Sequence, residues 1–505
     1  MSKFLRIILI LIGVVFTLLY IHTAIRRVIF PYPLQHVMEG EIFAHVLRVR
    51  EGLAVYPAWG SDFTPLLYMP LHYYIGALFN AVIPGLLGLR IFSCLAILAA
   101  YVIVVLILRN EKSPTWAIIV TMGLLSCISP LMFGSWEQVI IDGVMLALIL
   151  WGGYLVAAAN VPMSRVMASG IIFAAAFFFK QTVAPFIPAM LLFLFFNNRR
   201  VLAAFLLSFI AAFASLELLL FFVAGPGYIF YTFTVPLASH TNLFLFIYDI
   251  PLVLYWVFPL AFLLILSFVR FGRNMKAGPV IILFIYFLPA AFLIYTLGRG
   301  FYLGWLNNFL PFGVISLVLF GWAIGKFPDP PQRMESRWKA LLVFGLVIIQ
   351  FLVLRCNPMY IVPDKWNYRM NEDAVRVIAA LDGEVYLPED TYLAYLAGRK
   401  MYGNYVTLQN TWKSERVSGF PGELAEKFYN GEIKYILVGI SERLKPEDVP
   451  EGIYERLIDR GYIVPPEDYP TRTLIFLPPV HLFEIGPGQA DDAPPGATSG
   501  ADFPR

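Results

Sequence analysis

Charge is what this sequence has least of. Charged residues fill 14% of its 505 positions and hydrophobic residues 59%, against about 25% and about 45–50% in soluble domains. With a mean hydropathy of +0.72, a soluble globular chain and a disordered one are both excluded. No sign dominates either. The 37 basic and 34 acidic side chains leave a formal net charge of +3, which offers no footprint for nucleic acid. Cysteine is equally scarce: Cys94, Cys127 and Cys356 cannot build a disulfide framework, and the first two lie in apolar runs. Internal repeats, a Gly-rich phosphate loop and a metal-spaced Cys/His cluster are missing too. Gly225-Pro226-Gly227 is a turn rather than a nucleotide cradle.

What the chain has in abundance is long apolar runs, so it reads as a polytopic α-helical membrane protein. A crossing helix needs about 20 apolar residues. Eleven stretches qualify: Ile7–Ile25, Leu89–Leu108, Trp116–Ser129, Gly143–Ala159, Val166–Phe179, Val183–Phe196, Val201–Val223, Pro251–Val269, Pro279–Leu297, Phe309–Ile324 and Ala340–Leu354. The first is long and lacks a small-residue cleavage site, so it reads as a retained helix rather than a signal peptide. Leu66–Leu87 is also apolar. If it crossed, the basic loops at Arg109/Lys112, Arg165, Arg199/Arg200, Arg270/Arg273/Lys276 and Lys326/Arg333/Arg337/Lys339 would all change sides relative to Lys3 and Arg6. The positive-inside rule therefore makes it an interfacial helix in the first outer loop. The same rule makes Val166–Phe196 a hairpin with Lys180 at its tip. The N-terminus is then cytoplasmic, everything after Leu354 is extracytoplasmic, and the host is the plasma or inner membrane.

Beyond Arg355 the composition becomes ordinary. Asn371–Leu381, Glu423–Tyr429 and Tyr454–Arg460 read as helices, and Glu384–Leu387, Lys434–Gly439 and Thr473–Leu477 as strands, a small α/β pattern. The expected organisation is a membrane module over 1–354 with its first outer loop at 26–88, an extracytoplasmic α/β domain over 355–485, and a disordered Gly/Pro/Ala/Asp-rich tail over 486–505.

The residues with chemistry in them gather in the outer loops. The first runs His36-Val-Met-Glu39-Gly40-Glu41-Ile-Phe-Ala-His45 and ends Tyr68-Met-Pro70-Leu71-His72-Tyr73-Tyr74. The second holds Trp136, Glu137 and Asp142. Asp142 opens an apolar helix, a costly place for a carboxylate with no purpose or partner. Lys180-Gln181-Thr182 follows, then Arg299, then Asn307-Asn308-Phe-Leu-Pro311.

In this order and topology the segments resemble the GT-C superfamily of membrane glycosyltransferases, and within it the polyprenyl-phosphate-sugar-dependent enzymes of the glycosyltransferase family 39 type. Glu39-Gly40 with its following helix, Tyr68–Tyr74, Asp142, Lys180-Gln181-Thr182 and Asn307–Pro311 are similar to that family's elements. The likeness covers the first half best. Met38-Glu39 stands where many relatives have Asp-Glu, and His72 replaces a common tyrosine. The resemblance implies a polyprenyl-phosphate-linked sugar as donor, an extracytoplasmic glycan, lipid or protein as acceptor, the bilayer as surroundings, and no nucleic acid. It implies no firm cofactor; a divalent cation is compatible with it.

A sugar on a polyprenyl phosphate already carries a good leaving group, so the residue required is a general base for the acceptor. Glu39 is the first choice and Glu41, two residues on, the second, with Asp142 as an acceptor or metal contact. Lys180 and Arg299 are the short-loop cations suited to the departing phosphate. Gln181, His72, Tyr73, Trp136, Asn307 and Asn308 complete the candidate substrate contacts. Each has a plainer reading: a solvated loop face for Glu39 and Glu41, a helix start for Asp142, a snorkelling lysine, an interfacial anchor for Arg299, packed histidines, belt aromatics and an asparagine turn. Two competing functions remain open at this stage, a lipid-linked sugar flippase and a non-catalytic assembly subunit.

Overall fold

The structure is a computed structural model. It describes residues 3–131, 138–139, 141–157, 161–238, 277–300, 306–326, 334–355, 361–403, 405–413, 420–439, 449–463 and 481–486, with isolated positions at 244–256 and at 446. The expected span Pro251–Val269, the expected strand Thr473–Leu477, the tail and Trp136 lie largely or wholly outside the described residues. The contacts divide the chain into two units. One comprises Met1–Val28, Arg90–Leu219 and Thr241–Ile361, the other Ile29–Leu89, Leu220–His240 and Val362–Arg505.

The first unit is helical. Its elements are α1 (Lys3–Val28), α4 (Leu86–Asn110), α5 (Thr115–Leu131), α6 (Ile141–Val156), α7 (Met163–Phe179), α8 (Phe186–Asn197) and α9 (Arg199–Val223). After the short α10 (Val235–Ala238) of the other unit, it resumes with α11 (Pro279–Gly300), α12 (Leu310–Lys326) and α13 (Met334–Leu354). Among the described residues, five helices are long and apolar enough to cross a membrane, and five shorter apolar helices accompany them. Ten of the eleven expected spans therefore coincide with helices. In lipid the backbone must satisfy its own hydrogen bonds, which is why apolar runs of this length are helical.

Small residues set the packing. At the α1–α5 crossing, a Cβ on Gly123 would come within 2.6 Å of the Gly13 Cα, and one on Gly13 within 2.9 Å of the Ile119 carbonyl oxygen. Only glycine admits this approach, the usual device for membrane helices that gain nothing from apolar burial against one another. Among the five long apolar helices of the described residues, α12 is the most buried.

The hairpin expected at Val166–Phe196 is present. Helix α7 runs antiparallel to α6, with Ser169 Oγ donating to the Gly152 carbonyl at 2.8 Å and Lys180 returning to Asp142. Helix α9 runs in the same direction as α7: Gly170 faces Phe205 and Ser208, and Phe177 and Phe178 reach Phe213 further along. The intervening α8 must therefore run back. Its 12 residues span only about 18 Å.

The second unit gathers the first long loop, a segment near residues 220–238 and the C-terminal region. Helix α2 (His36–Arg50) packs on α3 (Leu71–Val82). Helix α3 has 12 residues, about 18 Å. Tyr56 ties the loop to the 220–238 segment, its N–H donating to Ala224 O at 2.8 Å and its carbonyl accepting from Gly227 N at 2.9 Å. Further along, Glu423 N donates to Gly60 O at 2.8 Å, and Lys400 pairs with Asp62.

The C-terminal region holds a four-stranded sheet in the order β1-β2-β4-β3, formed by β1 (Glu384–Tyr386), β2 (Ile433–Val438), β3 (Leu457–Tyr462) and β4 (His481–Ile485). β1 and β2 are parallel, whereas β4 runs antiparallel to both β2 and β3. Helices α14 (Lys365–Ala380), α15 (Thr391–Leu396), α16 (Tyr405–Lys413) and α17 (Gly422–Tyr429) surround it. Leu424 and Phe428 cover one face of the sheet, Ile378 and Leu393 the other. The connection from β1 to β2 is helical, as a parallel pair requires. Helix α14 starts earlier than expected because Asp364 caps it: Asp364 Oδ1 accepts from Trp366 N at 2.8 Å and from Asn367 N at 3.1 Å.

One expectation is overturned. Tyr454–Arg460 is not a helix: a single 3-10 turn at Tyr454–Arg456 leads straight into β3. Pairing with β4 decides the matter, since Arg460 bonds Glu484 at 2.6 Å and His481 bonds Asp459 at 2.6 Å across the strands, and such cross-strand pairs override local propensity.

Candidate functional site

The predicted residues fall into two clusters, one in each unit. In the second unit, α2 carries Glu39 and Glu41. Two prolines, Pro31 and Pro33, break the chain between α1 and α2, and Gln35 at the α2 N-cap supplies no side-chain bond. Glu39 fills that gap. It lies in the first turn, where negative charge is favoured, and its Oε2 accepts from Leu34 N at 2.5 Å. Glu39 and Glu41 are both fully buried, which removes the solvated-loop reading. Two residues on a helix are about 200° apart, and the acids do face different neighbours: Glu39 meets the Leu34 backbone, Glu41 the α15 residues Asp390 and Thr391. Burial, with Asp390 adding to it, pushes the Glu41 carboxyl up to about 8.

His45, one turn beyond Glu41, is held by two hydrogen bonds. Leu66 N–H donates to Nε2 at 3.1 Å. The hydrogen therefore sits on Nδ1, which donates to the Glu41 carbonyl at 2.7 Å. Burial lowers this imidazole to about 3, so it is a neutral, fully bonded histidine rather than a metal ligand. His72, in the first turn of α3, is also buried and lowered to about 3 by desolvation. Its neighbour Tyr73 stacks on His45 with ring centroids 4.4 Å apart, and burial raises its phenol. The described residues contain no group of three His, Cys, Asp or Glu able to hold a metal ion.

The first unit brings Asp142, Lys180 and Asn307 together. Asp142 stands in the first turn of α6. Lys180, an extended residue between α7 and a 3-10 turn at Gln181–Val183, places Nζ 2.7 Å from Asp142 Oδ1, with both side chains 3% exposed. Asn307 Nδ2 donates to Oδ2 of the same carboxylate at 2.9 Å. The costly carboxylate thus has its partner, and the lysine at the hairpin tip is half of a neutral pair. Gln181 is half-buried beside Lys180. Asn308 is buried against Gly298, where a Cβ would approach the Asn308 Cγ to 2.4 Å. Arg299 lies in the last turn of α11.

No protein-family model matches the sequence, and no curated protein matches it. Solved structures do. The apo structure of ArnT from Cupriavidus metallidurans superposes with a TM-score of 0.56, covering 93% of this chain and 99% of that one at 11% identity. This is the GT-C fold. ArnT from the same organism bound to undecaprenyl phosphate gives a TM-score of 0.44 at 14% identity, over 86% of this chain and 85% of the other. The Archaeoglobus fulgidus oligosaccharyltransferase, in complex with Zn and sulfate, gives 0.47 at 12% identity, over 86% and 67%. The GT-C likeness read from the loops thus extends along almost the whole chain.

Sequence reasoning missed the partners more than the residues. The bond from Asn307 to Asp142 spans 165 positions, and no local signal announces it. Thr391 and Asp390 were not singled out at all. The one hint in the sequence is Gly40, set between two glutamates: a Cβ there would lie 2.8 Å from Thr391 Oγ1.

Proposed function

We propose that this protein is an inverting membrane glycosyltransferase that moves a sugar from a polyprenyl-phosphate donor to an extracytoplasmic glycan, lipid or protein. The observation that carries the reading is the end-to-end GT-C fold; a carboxylate held on a buried loop helix supports it. The polyprenyl-phosphate donor follows from the resemblance of Glu39-Gly40, Tyr68–Tyr74 and Lys180-Gln181-Thr182 to family elements.

In this reading Glu39 is the general base. The acceptor O–H gives its proton to the Glu39 carboxylate as its oxygen bonds the anomeric carbon. The bond from that carbon to the phosphate oxygen breaks, configuration inverts, and polyprenyl phosphate leaves with the electron pair. The Leu34 N–H fixes the orientation of Glu39 and keeps one of its oxygens engaged. Lys180 and Arg299 are assigned to the donor phosphate. Lys180 enters that role by exchanging Asp142 for phosphate, while Asn307 retains its hold on Asp142 Oδ2. His72, Tyr73, Gln181 and Asn308 are candidate contacts to sugar or acceptor. In this reading the N-terminus is cytoplasmic and the C-terminal domain lies outside.

The test is release of polyprenyl phosphate from a panel of polyprenyl-phosphate hexoses and pentoses by the detergent-purified full-length protein, with envelope extract as acceptor. Turnover that falls about 10²-fold or more in Glu39→Gln at unchanged donor KM is the expected result. Full activity in Glu39→Gln overturns the base. Transport of the lipid-linked sugar across vesicles without transfer overturns the enzyme.

A further inference from the structure

We propose that helix α15 positions the base-bearing helix α2, and that Glu41, in its proton-bearing form against Thr391, is the pin between them. The inference rests on Glu39 being the base.

The contact is too close to be incidental. A Cβ at position 40 would stand 2.8 Å from Thr391 Oγ1 and 2.9 Å from Tyr392 N, so glycine is what lets α15 seat on α2. One turn along, Phe43 makes edge contacts with Tyr392 at 4.8 Å and with Tyr395 at 4.9 Å between ring centroids. Between these two contacts lies Glu41. It is 1% exposed; among the described residues neither carboxyl oxygen nor the Thr391 hydroxyl makes a well-formed hydrogen bond, and Thr391 is the side chain whose hydroxyl bears on the carboxyl.

A carboxylate left in such a place is strongly unfavourable, and the ordinary escape is to keep the proton. Among the described residues no cation acts on it. On α15 the facing groups are Asp390, which is negative, and Thr391. On α3 the group is Tyr73, a phenol raised in part by Glu41. On α2 it is His45, neutral and already bonded at both ring nitrogens. A protonated carboxyl has one O–H to give and one oxygen to receive with, which is what a lone buried hydroxyl such as Thr391 can match. Glu41 holding its proton cannot accept one, so it is a positioning residue. Because α2 is a single helix, fixing residue 41 fixes the rotation at which residue 39 is presented.

Two measurements on the full-length protein in detergent test this. The first is thermal unfolding against pH, which needs no substrate. A carboxyl raised in the folded state binds a proton there that the unfolded chain releases, so it costs stability as pH rises from about 4.5 to about 8. The unfolding temperature of Glu41→Gln should therefore gain on the wild type across that range and run parallel to it above. Parallel curves throughout overturn the pin.

The second is sugar transfer. Glu41→Gln, which keeps a donor, should hold kcat and KM within about threefold, while Glu41→Ala and Thr391→Val lower kcat about tenfold at unchanged donor KM. The wild type should also lose rate on an alkaline limb near pH 8 that Glu41→Gln lacks. Loss in Glu41→Gln equal to that in Glu39→Gln would place Glu41 in the reaction and overturn positioning. Full activity in Glu39→Gln, with the unfolding curves as expected, removes the base assignment and leaves the α2–α15 pin standing.

Discussion

The two units each bury a carboxylate, and they handle it in opposite ways. In the first, Asp142 is answered by a lysine at 2.7 Å and an asparagine at 2.9 Å. In the second, Glu41 meets a hydroxyl and another acid, and burial pushes it up to about 8. Pairing makes a group intolerant of losing its partner. Protonation tolerates a neutral substitute but ties stability to pH. The one group is held by its partners and the other by its surroundings.

The contrast is sharpest where one partner is removed. Lys180→Met leaves Asp142 buried and unpaired, so the largest effect is expected there: about 3–5 kcal/mol of lost stability, read by thermal unfolding in detergent. The double variant Asp142→Asn/Lys180→Met should recover most of it. A double variant no better than the single would mean that the pair is not what holds these helices. Next comes Asn307→Leu, which removes a donor to a charged oxygen at a cost of about 1.5–3 kcal/mol.

His45→Phe follows. It leaves the Leu66 N–H unmatched in a dry site, while the Glu41 carbonyl keeps its helical bond from the backbone N–H of residue 45, and about 1–3 kcal/mol should be lost; a smaller change would show that water replaces the ring nitrogen. The smallest change belongs to Glu41→Gln at pH 5, within about 1 kcal/mol of wild type, because an amide there replaces an acid that is already neutral. A loss at pH 5 as large as that of Lys180→Met would erase the contrast, since Glu41 would then have been an ionised partner.

Much of the helical unit was legible because lipid imposes one rule on every span. Apolar length marked Leu89–Leu108 and Val201–Val223, and the distribution of arginines called for a hairpin at Lys180, which the shared direction of α7 and α9 bears out. Asp142 was suspicious on cost alone, and its partner explains the cost. The C-terminal region was harder. The edge strand Leu457–Tyr462 has mixed polarity and exposed side chains, so nothing in its own sequence outweighs a helical reading. It becomes a strand only because His481–Ile485 lies beside it. Glu41 was legible as a titratable residue and not as a joint, because Thr391 lies hundreds of positions away and threonine carries no signal of its own.

The seat for Gly40 is made of residues synthesised long after it. When the segment carrying Glu39 leaves the ribosome, the α15 backbone that will close over it has not been translated. Helix α2 therefore leaves the ribosome before the α15 residues that face Glu41 exist. Formation of this contact is a late event: a chain released before Thr391 lacks the residues that Gly40 packs against.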